Sequence, residues 1–255
     1  MATYLLKKSY QLKNLHETKF KDLWNDNGIF TTMWIFGKPA KILFYKKHIK
    51  NLIKSLKIYK LNKPDLEKNI NKLIKKNINN NKKYDHLLRV AINNKIISLS
   101  FRKKFKPQLN FNLKLINHKR FDPENKNLKY KTILRYLLKM NTSNSDIGLC
   151  YKGKILETGT SNLLFIKKDK IFSPINNIYE GITYKFFKKR LDKILKKDIF
   201  IKSLNEYDEI ILIGSGKGVA SVKTIRDKKW KRKSLKNYKF LLNLYNSEIK
   251  KSLSY

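Results

Sequence analysis

Residues 156–165 read Leu-Glu-Thr-Gly-Thr-Ser-Asn-Leu-Leu-Phe. A short apolar stretch ends on an acid, a Thr/Gly/Ser turn follows, and a second apolar stretch opens at Asn162. That is the pattern of two strands joined tightly. Working outward, strands are expected at 147–151, 154–157, 161–166 and 171–172, punctuated by Gly153, Gly159 and Lys168-Asp169. Gly181 to Lys196 spaces its apolar residues as an amphipathic helix. Residues 208–213 (DEIILI) read as a buried strand that stops at Gly214-Ser215-Gly216.

The N-terminal side has its own elements. Residues 3–13 suit an edge strand, and 28–36 with 40–45 suit a hairpin turning at Gly37-Lys38-Pro39. Helices are expected from His48 to Tyr59 and from Asp65 to Ile78, the second with Pro64 at its start. Two strands, 86–92 and 95–101, join at Asn93-Asn94. Residues 105–127 are rich in Pro, Asn and Lys with little periodicity and read as the join between two lobes. A helix at 131–140 follows, and the basic tail 227–255 ends in a helix over 238–251. The whole reads as α+β, with mixed sheets and flanking helices. The expected division is a smaller N-terminal lobe, 1–115, and a larger C-terminal lobe, 116–255.

Composition bounds the function. With 41% apolar residues over 255, the chain can bury a core. No stretch approaches the ~20 apolar residues of a membrane helix, and Met1 to Gln11 lacks a secretory signal pattern. Cys150 is the single cysteine, which excludes an internal disulfide and a multi-cysteine zinc site. His16, His48, His86 and His118 have no metal-ligand spacing, so no metal is expected. A cytoplasmic setting and no membrane partner are the expectation. The net charge of +40 raises a basic nucleic-acid-binding protein as the alternative of another class. Against it, the lysines form no single stripe, they far outnumber the arginines that base-reading surfaces prefer, and no nucleic-acid motif is present. No specific nucleic-acid partner is therefore expected.

Four segments carry candidate chemistry: Lys131-Thr132-Ile133-Leu134-Arg135-Tyr136, the 156–165 stretch, Tyr179-Glu180-Gly181-Ile182-Thr183, and Gly214-Ser215-Gly216-Lys217-Gly218. Taken alone, the Gly181 and Gly214 segments also read as plain turns. The last fits neither the dinucleotide spacing nor the P-loop. In this order, together with Ser173-Pro174, the segments resemble the class IV aminotransferases, the fold-type-IV pyridoxal-phosphate enzymes. The resemblance is strong over 128–225 and weaker over 25–60. It implies a two-lobed fold, pyridoxal 5'-phosphate as cofactor, an amino-acid-like substrate and a homodimer.

The resemblance also implies site residues. Lys131 is the Schiff-base lysine, chosen over Lys129 because branched-chain aminotransferases also place a tyrosine five residues on, here Tyr136. Tyr136 itself joins the cofactor-binding set. Glu157 pairs with the pyridine nitrogen and keeps the ring an electron sink. Ile182 and Thr183 at a helix start, with Gly214, Ser215 and Gly216, hold the phosphate. Asn162 supports the Glu157 strand. Phe30-Thr31-Thr32 resembles the aminodeoxychorismate lyase version of its segment, where aminotransferases more often carry Phe-Glu-Gly or Phe-Glu-Thr. Thr31 and Thr32 are thus expected at the substrate, with Arg89 a candidate carboxylate partner whose first reading is a strand-edge arginine. The expected reaction is 4-amino-4-deoxychorismate to 4-aminobenzoate and pyruvate; the alternative is transamination of a branched-chain or related amino acid. The chain departs from the pattern at Phe44, where the relatives commonly carry a phosphate-holding arginine. It departs again in the 26-residue step from Lys131 to Glu157, which is short for the family.

Overall fold

The computed structural model describes residues 4–252, and the chain divides into two compact units. The first comprises, among the described residues, 4–104 with 125–131 and 251–252. Its elements are β1 (Tyr4–Gln11), β2 (Glu17–Thr18), β3 (Gly28–Gly37), β4 (Lys41–Ile42), α1 (Tyr45–Ile58), α2 (Leu66–Asn77), β5 (Tyr84–Asn93) and β6 (Ile96–Lys103). The strands form one antiparallel sheet in the order β2-β1-β6-β5-β3-β4. α2 buries Leu66, Ile70, Leu73 and Ile74, a helical stripe, in the core that also takes Ile49, Leu52 and Leu56 of α1. Alternation along β3 sends Ile29, Met33 and Ile35 into this core, while Phe30 packs in a second cluster with Leu23, Ala91 and Leu128.

The second unit holds 105–124 and 132–250. Its elements are β7 (Phe111–Asn117), α3 (Lys131–Leu137, from its second residue on), β8 (Ser145–Tyr151), β9 (Lys154–Thr158), β10 (Asn162–Lys167), β11 (Lys170–Pro174), α4 (Ile182–Arg190), β12 (Leu195–Lys197), β13 (Ile199–Phe200), β14 (Glu209–Gly214), β15 (Gly218–Ile225), β16 (Trp230–Lys231) and α5 (Lys236–Lys250). Nine of these strands run β12-β11-β10-β14-β15-β7-β8-β9-β13, and β16 pairs with β15. The continuous apolar runs Leu163–Ile166 and Ile210–Ile213 belong to β10 and β14, neighbours buried on both faces.

Three expectations are corrected. The stretch 105–127 is not irregular throughout. Phe111 and Leu113 are buried in β7, which lies parallel to both β15 and β8, and Phe111-Asn112-Leu113-Lys114-Leu115 carries the apolar–polar alternation of a strand inside Pro-, Asn- and Lys-rich flanks. The 181–196 helix stops at Arg190, and Leu195–Lys197 instead pairs with β11, where Lys196 Nζ reaches Glu180 Oε1 at 2.8 Å. Tertiary pairing overrides helical spacing there. The 40–45 strand shrinks to two residues because α1 starts at Tyr45. Among the described residues no helix is long and apolar enough to cross a membrane.

One polar link ties β3 to α1 inside the first core. Thr31 Oγ1 lies 2.8 Å from His48 Nδ1, both side chains buried. Burial, reinforced by the charge of Lys126, lowers the His48 pKa to about 3. The unfolded chain binds this proton near 6.5 and the folded chain only near 3. Between those values the unfolded state holds more protons, so stability falls as pH drops. Urea denaturation at stepped pH should show that decline, and His48→Gln should flatten it. An unchanged slope in the variant would show that other groups drive the loss.

Candidate active site

In the second unit Glu157, next to last in β9, is buried and ion-paired. Arg120 Nε and Nη2 both lie 2.7 Å from its Oε1. Arg120 Nη2 also donates to the Pro123 carbonyl at 2.7 Å, and the Tyr179 backbone N–H donates to Glu157 Oε2 at 3.3 Å. Both side chains of the pair are about 95% removed from solvent, with 5% and 6% exposure. Such a pair holds its geometry because separating it strands a charge in low dielectric. Sequence reasoning missed Arg120. The signal was its rarity, one of seven arginines against 52 lysines, since guanidinium suits a buried pair better than ammonium.

Asn162, first in β10, does not brace the Glu157 strand as expected. Its Nδ2 donates to the Tyr179 carbonyl at 2.6 Å and its Oδ1 accepts from the Gly181 N–H at 3.1 Å. The segment that enters α4 is thereby clamped. A Cβ on Gly181 would stand 3.1 Å from Asn162 Oδ1, so the approach needs glycine. Ile182 and Thr183 open α4 and both are buried. Thr183 Oγ1 is buried with no hydrogen-bond partner among the described residues. A helix start with free N–H groups and an orphaned hydroxyl suits an anion acceptor.

Asp146, in β8 and fully buried, is the second hub. Its Oδ2 accepts from Thr158 Oγ1 at 3.0 Å and Thr160 Oγ1 at 2.6 Å. Lys217 Nζ stands 3.8 Å from the same oxygen and donates to the Thr142 carbonyl at 3.0 Å. The acid thus joins the turn after Glu157 to the turn between β14 and β15. Gly214 in that second turn packs so closely that a Cβ would meet Ser161 Oγ at 2.9 Å. Sequence reading gave Asp146 and Lys217 no part.

The first unit holds the other sequence-predicted residues. Thr31 faces the core and binds His48, whereas Thr32 lies on the opposite face of β3, in register with Arg89 of β5. A ligand on one face therefore meets one of the two threonines. Arg89 is buried, ion-paired with Asp22, and its guanidinium carbon lies 4.3 Å from the Trp24 ring centroid. The segment before α3 is closely anchored: the Phe30 N–H donates to the Lys126 carbonyl, the Leu128 N–H to Gly28 and the Asn25 N–H to Leu128. Lys129 follows, with Nζ donating to the Asn25 carbonyl at 2.8 Å. Lys131 is exposed at the first position of α3. Tyr136, 41% exposed, lies five residues on, about 140° around a helix axis from it. Helical geometry thus separates the two residues whose spacing selected Lys131.

The profile of amino-transferase class IV matches residues 28–225. The chain belongs to that family. Membership makes it a pyridoxal-phosphate-dependent enzyme. The fold is shared with branched-chain aminotransferase from the thermophilic archaeon Thermoproteus uzoniensis, at TM-score 0.76 and 17% identity over 94% of this chain and 93% of that one. A protein of Legionella pneumophila, provisionally assigned as a 4-amino-4-deoxychorismate lyase, aligns at TM-score 0.69 and 18% identity over 87% and 91%. A hypothetical aminotransferase of Mycobacterium tuberculosis in its PLP-bound form aligns at 0.67 and 13% over 94% and 98%. No curated protein sequence matches significantly. The class IV residues of the second unit fit the cofactor on their own terms: an ion-paired acid in Glu157, and the unfilled hydroxyl of Thr183 where a helix begins.

The Arg120–Glu157 pair makes a sharp prediction. Glu157→Gln leaves a buried guanidinium without its counter-charge and should cost roughly 3–5 kcal/mol. Arg120→Met with Glu157→Leu should cost less than either single change. Urea unfolding of Arg120→Met, Glu157→Leu and their double variant measures this cycle, and additive losses would show that the two side chains are not coupled.

Proposed function

We propose that this class IV enzyme is a lyase converting 4-amino-4-deoxychorismate to 4-aminobenzoate and pyruvate. The observation that carries the choice is Phe30-Thr31-Thr32, where the aminotransferase pattern more often has a glutamate. A strand without that carboxylate suits a substrate bearing two carboxylates of its own. Arg89, across from Thr32, is the candidate cation for one of them, although Asp22 already claims part of its guanidinium.

When bound, pyridoxal phosphate supplies an electron sink for the substrate's α-carbon. The chain supplies the rest. Glu157, fixed by Arg120 and the Tyr179 N–H, presents its carboxylate to the ring nitrogen. Ile182, Thr183 and the Gly214-Ser215-Gly216 turn offer the phosphate N–H and hydroxyl donors. Phe44, which begins α1, brings no charge to replace the arginine that relatives commonly use. A lysine Nζ would hold the cofactor and, as a neutral amine, would serve as the general base at the substrate's α-carbon. Lys131 is the choice from sequence spacing. Lys129 is the second reading, supported by the hydrogen-bonded backbone at 126–130 that would fix its position. Transamination of a branched-chain or related amino acid remains the alternative reaction, since it uses the same groups. A homodimer in the cytoplasm without a specific nucleic-acid partner completes the proposal.

Absorbance of the purified protein, borohydride reduction and peptide mass mapping test the cofactor and its lysine together. A yellow protein whose band bleaches, with the reduced cofactor on the peptide bearing Lys131, is the expected result. Lys131→Ala and Lys129→Ala assayed together should leave only one of them colourless. Release of 4-aminobenzoate without glutamate-dependent turnover supports the lyase; the reverse identifies a transaminase. A protein that takes up no pyridoxal phosphate overturns the proposal.

A further inference from the structure

The second unit contains a cavity of about 720 Å³ between α3, with the turn that follows it, and the facing strands β7 and β8. None of Glu157, Arg120, Thr183 or the 214–216 turn lines it. One wall is formed by Arg135 and Tyr136 of α3 with Lys139 and Met140 of the turn that follows it. The floor includes Lys114 and Ile147, in register across β7 and β8 and therefore on the same side of the sheet. The volume lies within the range of roughly 300–1,000 Å³ typical of small-molecule sites.

The lining chemistry is one-sided. Lys114, Arg135 and Lys139 are three cations around one hollow, and no Asp or Glu lines it. Among the described residues none of the three takes part in an ion pair. All three are exposed, so water and salt screen their mutual repulsion, and an anion gains there mainly where it meets more than one of them. Cations are common in this chain, so charge alone selects nothing. The distinguishing feature is that they surround a concave surface with apolar elements, the Tyr136 ring, Met140 and Ile147, the second of these an adaptable thioether. A bare inorganic ion would leave those surfaces unused.

We propose that this cavity binds a small organic dianion with an apolar body, in which Arg135 and Lys139 grip the charged end, Lys114 meets it from the floor, and Tyr136, Met140 and Ile147 cover the rest. Arg135 presents a planar fork suited to a phosphate or carboxylate. Because Thr132 also lines the cavity, an occupant would touch the first turn of α3.

Phenyl phosphate is the probe, titrated by calorimetry into protein saturated with pyridoxal phosphate so that the cofactor's own site is filled. The expected result is saturable one-site binding, tighter than that of inorganic phosphate or phenol. Arg135→Gln with Lys139→Gln should weaken it about tenfold or more, the loss of at least one charge-assisted contact. Lys50→Gln with Lys54→Gln, which removes the same charge from α1, should leave it within about twofold on the same scale. Equal weakening in both double variants would reduce the effect to net charge and overturn the proposal, as would the absence of saturable binding. Acetic anhydride labelling gives a readout on the unmutated chain. Phenyl phosphate should protect Lys114 and Lys139 but not Lys50, and uniform labelling overturns the assignment.

Discussion

The buried Arg120–Glu157 pair is the constraint from which the second unit's candidate site is built. Taking two charges out of water is costly, and the cost is offset only while both remain in contact and their other polar atoms are satisfied. Here they are satisfied by backbone: Pro123 accepts from Arg120, and Tyr179 donates to Glu157. The pair therefore fixes three chain segments that are distant in sequence. Tyr179 passes the restraint to Asn162, and Asn162 to Gly181, so the start of α4 is positioned by the same network that holds the acid. Asp146 does the corresponding work on the other side, joining Thr158, Thr160 and Lys217. The two networks meet at consecutive residues, Glu157 and Thr158, which explains why β9 is buried almost throughout.

Much of this was legible before any coordinates. The strands flanking 156–165 and both helices of the first unit follow from period and punctuation, because apolar spacing survives even a heavy lysine content. Glu157 and Gly214 stood out as candidates because acids and glycines are scarce here, and Ile182 and Thr183 because they follow a glycine at a helix start. What stayed hidden was long-range. Arg120 has no local pattern, and its role depends on a partner 37 residues away. Asp146 reads as an unremarkable strand polar residue until the turns on either side are folded back on it. β7 was missed although Phe111 to Leu115 alternates apolar and polar, because the run is only five residues long and sits in Pro-, Asn- and Lys-rich flanks. Thr31 and Thr32 were read as a unit, but adjacent strand positions face opposite ways, and only the fold reveals which way.

The family placement fixes the kind of chemistry and leaves specificity to a handful of side chains. At identities of 13–18% the compared structures share this chain's fold. Within this chain the polar groups around Glu157 and Asp146 are buried, where a substitution would strand a charge or a hydrogen bond.

The parallel pairing of β7 with β15 brings Phe111 beside Val222, about 110 residues later in the chain. The large sheet cannot close around β7 until that later strand has been made. Until then β14 and β7, the two neighbours of β15, each present an unpaired edge, and the apolar run of β14 is an aggregation hazard during synthesis. Lysines punctuate the apolar runs around it: Lys167 and Lys168 close Leu163–Ile166, and Lys170 precedes Ile171-Phe172. Charges in such flanks act as gatekeepers against intermolecular strand pairing. An excess of positive charge that looks gratuitous on the finished molecule thus has a use on the nascent one, keeping half-made sheets apart from one another until their last strand arrives.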